Sequence, residues 1–145
     1  MFAVGFTGTS RGMTAAQRAQ VRDVLARYRA SGATHFHHGD CVGADAEAHT
    51  IAKGLGFYVV LHPPSDPKAR AYATGDEARP LAPYLIRNRA IVLATQCLVA
   101  TPSGETEERR SGTWATVRYA RKEGRQVTLI FPDGRSTGTV GGALS

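Results

Sequence analysis

A chain of 145 residues fits one domain and is long enough to bury roughly two-thirds of the surface its unfolded form exposes. Its 42% hydrophobic and 21% charged residues are ordinary for a globular protein, and no run of about 18 apolar residues is present to form a transmembrane helix. The net charge of +6 permits attraction to phosphates, but the basic residues are dispersed over two predicted helices. Arg18, Arg22, Arg27 and Arg29 decorate one and Arg118, Arg121, Lys122 and Arg125 the other, as on solvated helical faces. Neither zinc-finger spacing nor an RNA-recognition signature supports a nucleic-acid surface.

Residues 2–6 (FAVGF) read as the first strand; the run is too short and too quickly polar for a signal peptide, and the cytoplasm is the expected compartment. Thr14-Ala-Ala-Gln17 has the capping-box pattern, and Val21, Val24, Leu25 and Tyr28 follow at helical spacing, which predicts a helix from Thr14 to a stop at Gly32. Residues 34–38 form a second strand, and a helix runs from the turn at 39–45 to about Lys53, with Gly54 and Gly56 ending it. Residues 57–61 (FYVVL) are the clearest strand. The segment 62–82, opened by His62-Pro-Pro-Ser-Asp-Pro67, stays polar and turn-like; an excursion of that length is often a lid or specificity loop. Residues 83–95 read as a helix carrying Arg87, Asn88 and Arg89, 96–100 as a strand and 101–110 as a charged loop. Ser111 caps a helix reaching about Glu123, with Gly124 as its stop, and 127–131 is the last strand. Residues 136–145, rich in glycine and threonine, are expected to be a flexible tail beyond a single domain of residues 1–135.

Strands alternating with helices predict a Rossmann-like three-layer αβα sandwich with a mostly parallel sheet of about five strands. Right-handed crossovers place the first strand centrally, with the strand at 96–100 beside it across the switch point. The turns at 7–11 and 101–113 then face one crevice, and the turn at 39–45 lies on the same carboxyl edge, where open α/β sheets bind ligands.

The first turn lacks the dinucleotide fingerprint, because Gly5, Gly8 and Gly12 have the wrong spacing, and no P-loop follows any strand. No cofactor is therefore assigned. Gly8, Thr9, Ser10 and Arg11 still offer N–H groups, hydroxyls and a charge to an anion. Arg110-Ser-Gly-Thr-Trp114 is the best phosphate candidate: Gly112 admits close backbone approach, Thr113 brings a hydroxyl, the helix dipole favours an anion, and Arg110 adds a charge-assisted contact. The same residues also read as a helix capped by Ser111 whose Trp114 packs into the core; otherwise Trp114 or Tyr84 is placed to line a base pocket. In the middle turn, Gly39, Asp40, Gly43 and Asp45 are ligand candidates whose carboxylates suit a ribose, a base edge or acid–base work, although Asp45 also suits a first helical turn.

His35, His37, His38, Asp40 and Cys41 invite a metal reading, but strand alternation sends His38 to the face opposite His35 and His37, and no zinc spacing occurs, so no metal site is assigned. Cys97 reads as a core residue and Cys41 as a turn residue open to a reactive-thiol role; the pair implies no disulfide framework.

Taken in order, TGTSRG, HGDCVGAD, RNRAI, QCLVATP and RSGTW resemble the SLOG superfamily of Rossmann-like nucleotide-binding proteins over about residues 2–133. The superfamily includes LOG-type phosphoribohydrolases and DprA-related proteins; the pattern is most similar to its small YspA-type and YpsA-type members. The resemblance implies a nucleotide or nucleoside-phosphate ligand and a homodimer. LOG-type enzymes carry R-K-x-x-M and then P-G-G-x-G-T-x-x-E, and cleave the N-glycosidic bond of nucleoside monophosphates. Here Arg87 matches the first arginine, Pro102 and Gly104 match the start of the second pattern, and an inserted ETEERRS precedes Gly112 and Thr113. Thr116 stands where the family has its catalytic glutamate. The catalytic candidates are therefore Arg87 with Glu105 or Glu108 (Glu107 lies between them) from the inserted loop. Three readings follow: a nucleotide-binding sensor or carrier, a LOG-like hydrolase, and a DprA-like DNA-binding protein.

Overall fold

A computed structural model describes residues 1–138. Its elements run β1 (Ala3–Gly8), α1 (Ala15–Ala30), β2 (His35–His38), α2 (Ala44–Gly54), β3 (Tyr58–Leu61), β4 (Glu77–Ala78), α3 (Tyr84–Ala94), β5 (Cys97–Thr101), α4 (Gly112–Lys122), β6 (Gln126–Ile130) and β7 (Ser136–Thr137). The sheet order is β4-β3-β2-β1-β5-β6-β7, parallel except for β7. As expected, β1 is central, pairing β2 on one side and β5 on the other, so the chain reverses its direction of travel across the sheet between them.

Among the described residues the sheet has seven strands, two more than the expected five or so. The extra two are edge strands of two residues, too short to show a period. β4 arises inside the polar segment 62–82 and pairs with Val60 and Leu61; β7 pairs antiparallel with Leu129 and Ile130. Ser136 and Thr137 are thus paired strand residues, not flexible tail; the rest of that expectation, from residue 139 on, falls outside the described residues.

Strand alternation divides the core in two. Val4, Phe6, Cys97 and Val99 face one apolar cluster with Val21, Leu25 and Tyr28 of α1 and Ala44, Ala48 and Ile51 of α2. Leu98 and Ala100 face the other, with Ile91 and Val92 of α3 and Trp114, Val117 and Ala120 of α4.

The capping box is complete: Thr14 Oγ1 accepts the Gln17 N–H and Gln17 Oε1 accepts the Thr14 N–H, both at 3.0 Å. Gln17 does more. Its side chain is buried, and Nε2 donates to the carbonyls of Pro102 and Ile130 at 2.9 Å each, stitching α1 to the carboxyl ends of β5 and β6. No helix among the described residues is long and apolar enough to cross a membrane.

Candidate functional site

The loops at the carboxyl edge border an open cleft of about 540 Å³. One wall carries the turn after β1 (residues 8–11) and the turn after β2 (39–45); the other carries residues 110–113 and one face of α3. Tyr84, Arg87, Asn88 and Ile91, at i, i+3, i+4 and i+7, supply that face.

Gly43 brings the first two turns together. It sits at φ +94°, and a Cβ there would strike the Ser10 carbonyl; without one, the Ala44 N–H reaches the Thr9 carbonyl at 3.0 Å. Thr9 also donates its N–H to the Thr101 carbonyl, and its hydroxyl oxygen accepts the Arg11 N–H at 3.1 Å. On the far wall Ser111 caps α4 by accepting the Trp114 N–H at 3.3 Å, leaving Gly112 and Thr113 at the cleft. Arg11 and Arg110 reach the cleft from opposite sides, and neither guanidinium has an ion pair among the described residues.

Arg87 is built differently. Only 6% exposed, it donates to the Gly39 carbonyl, to the His62 carbonyl (3.2 Å) and to Asn88 Oδ1 (2.7 Å), and its guanidinium lies over the Tyr84 ring. It therefore ties α3 to the ends of β2 and β3. A Cβ on Gly39 would collide with this guanidinium.

Asp45, in the first turn of α2, is 6% exposed and lines the cleft. Its Oδ2 accepts the Cys41 N–H at 3.2 Å, whereas Oδ1 has no partner among the described residues. Burial pushes its carboxyl up to about 6, against the downward pull of Arg87 and of the Cys41 N–H. Burial also pushes the Cys41 thiol above its ordinary value, with Arg87 countering it, so the thiolate a reactive cysteine needs is disfavoured.

Of the residues singled out in the sequence, Gly8, Thr9, Ser10, Arg11, Gly39, Asp45, Arg87, Glu108, Arg110, Ser111, Gly112 and Thr113 line this cleft. Others lie elsewhere. Asp40 is wholly buried at φ +50°, and its carboxylate accepts from Arg70 Nε (3.2 Å) and the Ala73 N–H (3.0 Å) while its carbonyl accepts the Ala71 N–H. It anchors the 62–82 segment, whose Ala69 reaches the cleft. The Pro102 carbonyl is taken by Gln17. Trp114 is a core side chain of the second cluster. Glu105 pairs with Arg135 and Glu107 with Arg118, both on the exposed surface. Thr116 is buried, its hydroxyl donating to the Gly112 carbonyl at 2.9 Å. Asn88 and Ser103 line the cleft without having been singled out for it; the helical spacing from Tyr84 to Ile91 carried the signal for Asn88.

The histidines pair off. His37 Nδ1 lies 2.8 Å from His62 Nε2, and His38 Nε2 lies 2.9 Å from His49 Nδ1. Burial lowers His37 to about 4 and His62 to about 3, and holds His38 well below its usual value. Among the described residues no three His, Cys, Asp or Glu side chains are grouped to hold a metal.

The architecture, an α/β, mostly parallel Rossmann-like sheet, is shared with solved proteins. No protein-family model and no curated protein matches the chain. Among solved structures it is similar to the molybdenum cofactor binding protein from the phototrophic bacterium Rippkaea orientalis, with a TM-score of 0.70 and 20% identity over 90% of this chain and 76% of that one. The molybdenum cofactor carrier protein from Chlamydomonas reinhardtii gives a TM-score of 0.62 and 21% identity over 88% and 75%. DNA processing protein A from Streptococcus pneumoniae gives 0.63 and 18% over 97% of this chain, which spans only 52% of that protein. At these identities the likeness is one of fold.

Proposed function

We propose that this protein is a SLOG-type binding protein that holds a nucleotide, nucleoside phosphate or nucleotide-derived ligand in the carboxyl-edge cleft, as a sensor or carrier. One observation carries the reading: two guanidinium groups without ion pairs among the described residues, Arg11 and Arg110, meet the amino-terminal turn of α4 across a single cleft. Exposed cations and free helix N–H groups together favour an anionic group such as phosphate. That two structural neighbours are named for binding or carrying the molybdenum cofactor fits a carrier role and brings cofactors of that kind into the ligand class.

The hydrolase reading draws on Glu108, which lines the cleft. The DNA-binding reading is supported less. Of the basic residues it would use, Arg29 is spent on the Leu55 and Ala33 carbonyls, Arg125 on those of Val92 and Thr95, and Arg118 on Glu107. The expected homodimer has an apolar face available on α3, where Leu85, Ile86 and Leu93 are exposed.

The test is mass spectrometry of small molecules, and of molybdenum, copurifying with the protein, followed by calorimetric titration with AMP, GMP and CMP. A bound phosphorylated ligand, or saturable binding without release of free base, is expected. Base release would replace the carrier reading with the hydrolase. Absence of any ligand, coupled with DNA binding of steep salt dependence, would replace it with the nucleic-acid reading. Sedimentation of the same preparation as a monomer would remove the dimer.

A further inference from the structure

Four buried side-chain atoms among the described residues have no hydrogen-bond partner: Tyr28 Oη, Thr101 Oγ1, Thr128 Oγ1 and Asp45 Oδ1. Only the last belongs to a residue lining the cleft. A hydroxyl can turn to find a partner, but an ionised carboxylate oxygen can only accept. The Cys41 N–H goes to Oδ2, the Gly39 N–H also acts on the carboxyl, and Arg87 donates to the Gly39 and His62 carbonyls, Cys41 Sγ and Asn88, yet Oδ1 is left without a partner among the described residues. A preference for acidic residues in a first helical turn explains why a carboxylate stands at the start of α2. It does not explain why the group is buried with one oxygen left unmatched, since an exposed carboxylate would serve the helix equally well. Unmatched buried polar atoms are rare in native proteins, and a cleft wall is where a ligand can match one.

On the wall opposite, Arg110 and the first N–H groups of α4 are donors, and Arg11 adds a guanidinium from Asp45's own wall. The cleft thus combines donors on both walls with one unmatched acceptor at Asp45. We infer that Asp45 accepts a hydrogen bond from a hydroxyl or N–H of the ligand, so that the site selects a phosphorylated molecule with a donor group at its other end rather than a bare phosphate. The inference rests on the phosphate reading above for the anionic end alone. A ribose hydroxyl and an N–H on a base edge share the required chemistry.

The experiment is calorimetric titration of wild type, Asp45→Asn and Asp45→Ala with inorganic phosphate, ribose phosphate, AMP, GMP, CMP and UMP. The expected result is that at least one organic phosphate binds more tightly than inorganic phosphate. Both variants should weaken that ligand by about tenfold or more while leaving inorganic phosphate within about twofold. Dependence on Asp45 already present with ribose phosphate assigns the donor to the sugar; dependence appearing only with a nucleotide assigns it to the base. If organic phosphates bind no better than inorganic phosphate, or if the variants weaken all ligands equally, the inference fails and the phosphate site stands. If inorganic phosphate and every organic phosphate fail to bind wild type, the proposed function itself fails. Should the variants not fold, wild type supplies the answer by titration near pH 6 in two buffers of different ionisation heat. Ligand donation favours the ionised carboxylate, which burial otherwise disfavours, so the organic phosphate must release protons beyond those that ionisation of its own phosphate accounts for. Release no greater than that of the phosphate itself would overturn the inference.

Discussion

Arg110 and Arg87 are both cleft-lining arginines, yet they do different work. Arg110 is exposed and has no ion pair among the described residues, whereas Arg87 donates to two backbone carbonyls and Asn88. Replacing Arg110 with alanine is expected to weaken inorganic phosphate by roughly tenfold, the size of one charge-assisted contact, and to leave the thermal midpoint unchanged. Arg87→Ala is expected to lower stability by about 2–4 kcal/mol in urea unfolding, because buried carbonyls lose their charged donor. Trp114→Ala should cost about 3–5 kcal/mol as a core truncation. A Trp114→Ala variant that lost ligand but kept its stability would return that residue to the site. The sequence showed all three residues but not their partners. A helix capped by Ser111 with Trp114 packed into the core is one reading of that segment, while motif order pulls Trp114 toward the ligand. Asp40 misled for a related reason: an aspartate in a glycine-bearing turn looks like a ligand contact until the backbone of residues 70–73 is seen closing on it.

At the level of elements, the strands and helices that position the cleft were legible because each is long enough to show its period and carries its own stop signals. The capping box located α1 to the residue. β4 and β7 were not legible, since two residues have no period and their pairing is decided by neighbours distant in sequence. The role of Gln17 was half legible: the capping pattern gave its local bond, but not the two carbonyls it serves at the ends of β5 and β6. That second role makes a prediction. Gln17→Leu should cost about 2–3 kcal/mol, more than loss of a cap, because it leaves buried acceptors unmatched beside an intact helix. Urea unfolding would show it, and a cost below about 1 kcal/mol would reduce Gln17 to its capping role.

For the molecule as a whole, the buried histidines dominate the acid response. His37, His62 and His38 have folded values below the ordinary 6.5, so between about pH 6.5 and 3 the unfolded chain binds more protons than the folded one. Their contribution is complete above pH 6.5 and is lost as pH falls. Asp45 opposes them: its value rises from 3.8 to about 6, so over that interval the folded form holds the extra proton and is favoured on acidification. Three histidines against one carboxyl give a net loss of stability on acidification. At the other extreme, burial raises Cys97 from 9.0 to about 11, so stability falls again as pH climbs past 9. Urea midpoints should therefore be highest near neutrality, and His62→Phe should shallow the acid limb. A midpoint constant from pH 7 to pH 5 would contradict the buried neutral pairs. The strand order was readable at this scale because right-handed crossovers leave few alternatives. The pairing of histidines across β2 and β3 depends on register, which no local pattern specifies.

The sheet keeps the two apolar clusters apart, and the walls of the cleft hang from different ones. Residues 8–11 and 39–45 continue into the layer of α1 and α2, while residues 110–113 and the stripe on α3 belong to the layer of α3 and α4. A molecule seated between them would act as a cross-brace at the rim, adding to the strands and the Arg87 hydrogen bonds that already join the two half-structures. Occupancy would then be felt far from the cleft, as slower amide exchange in helices on both sides of the sheet.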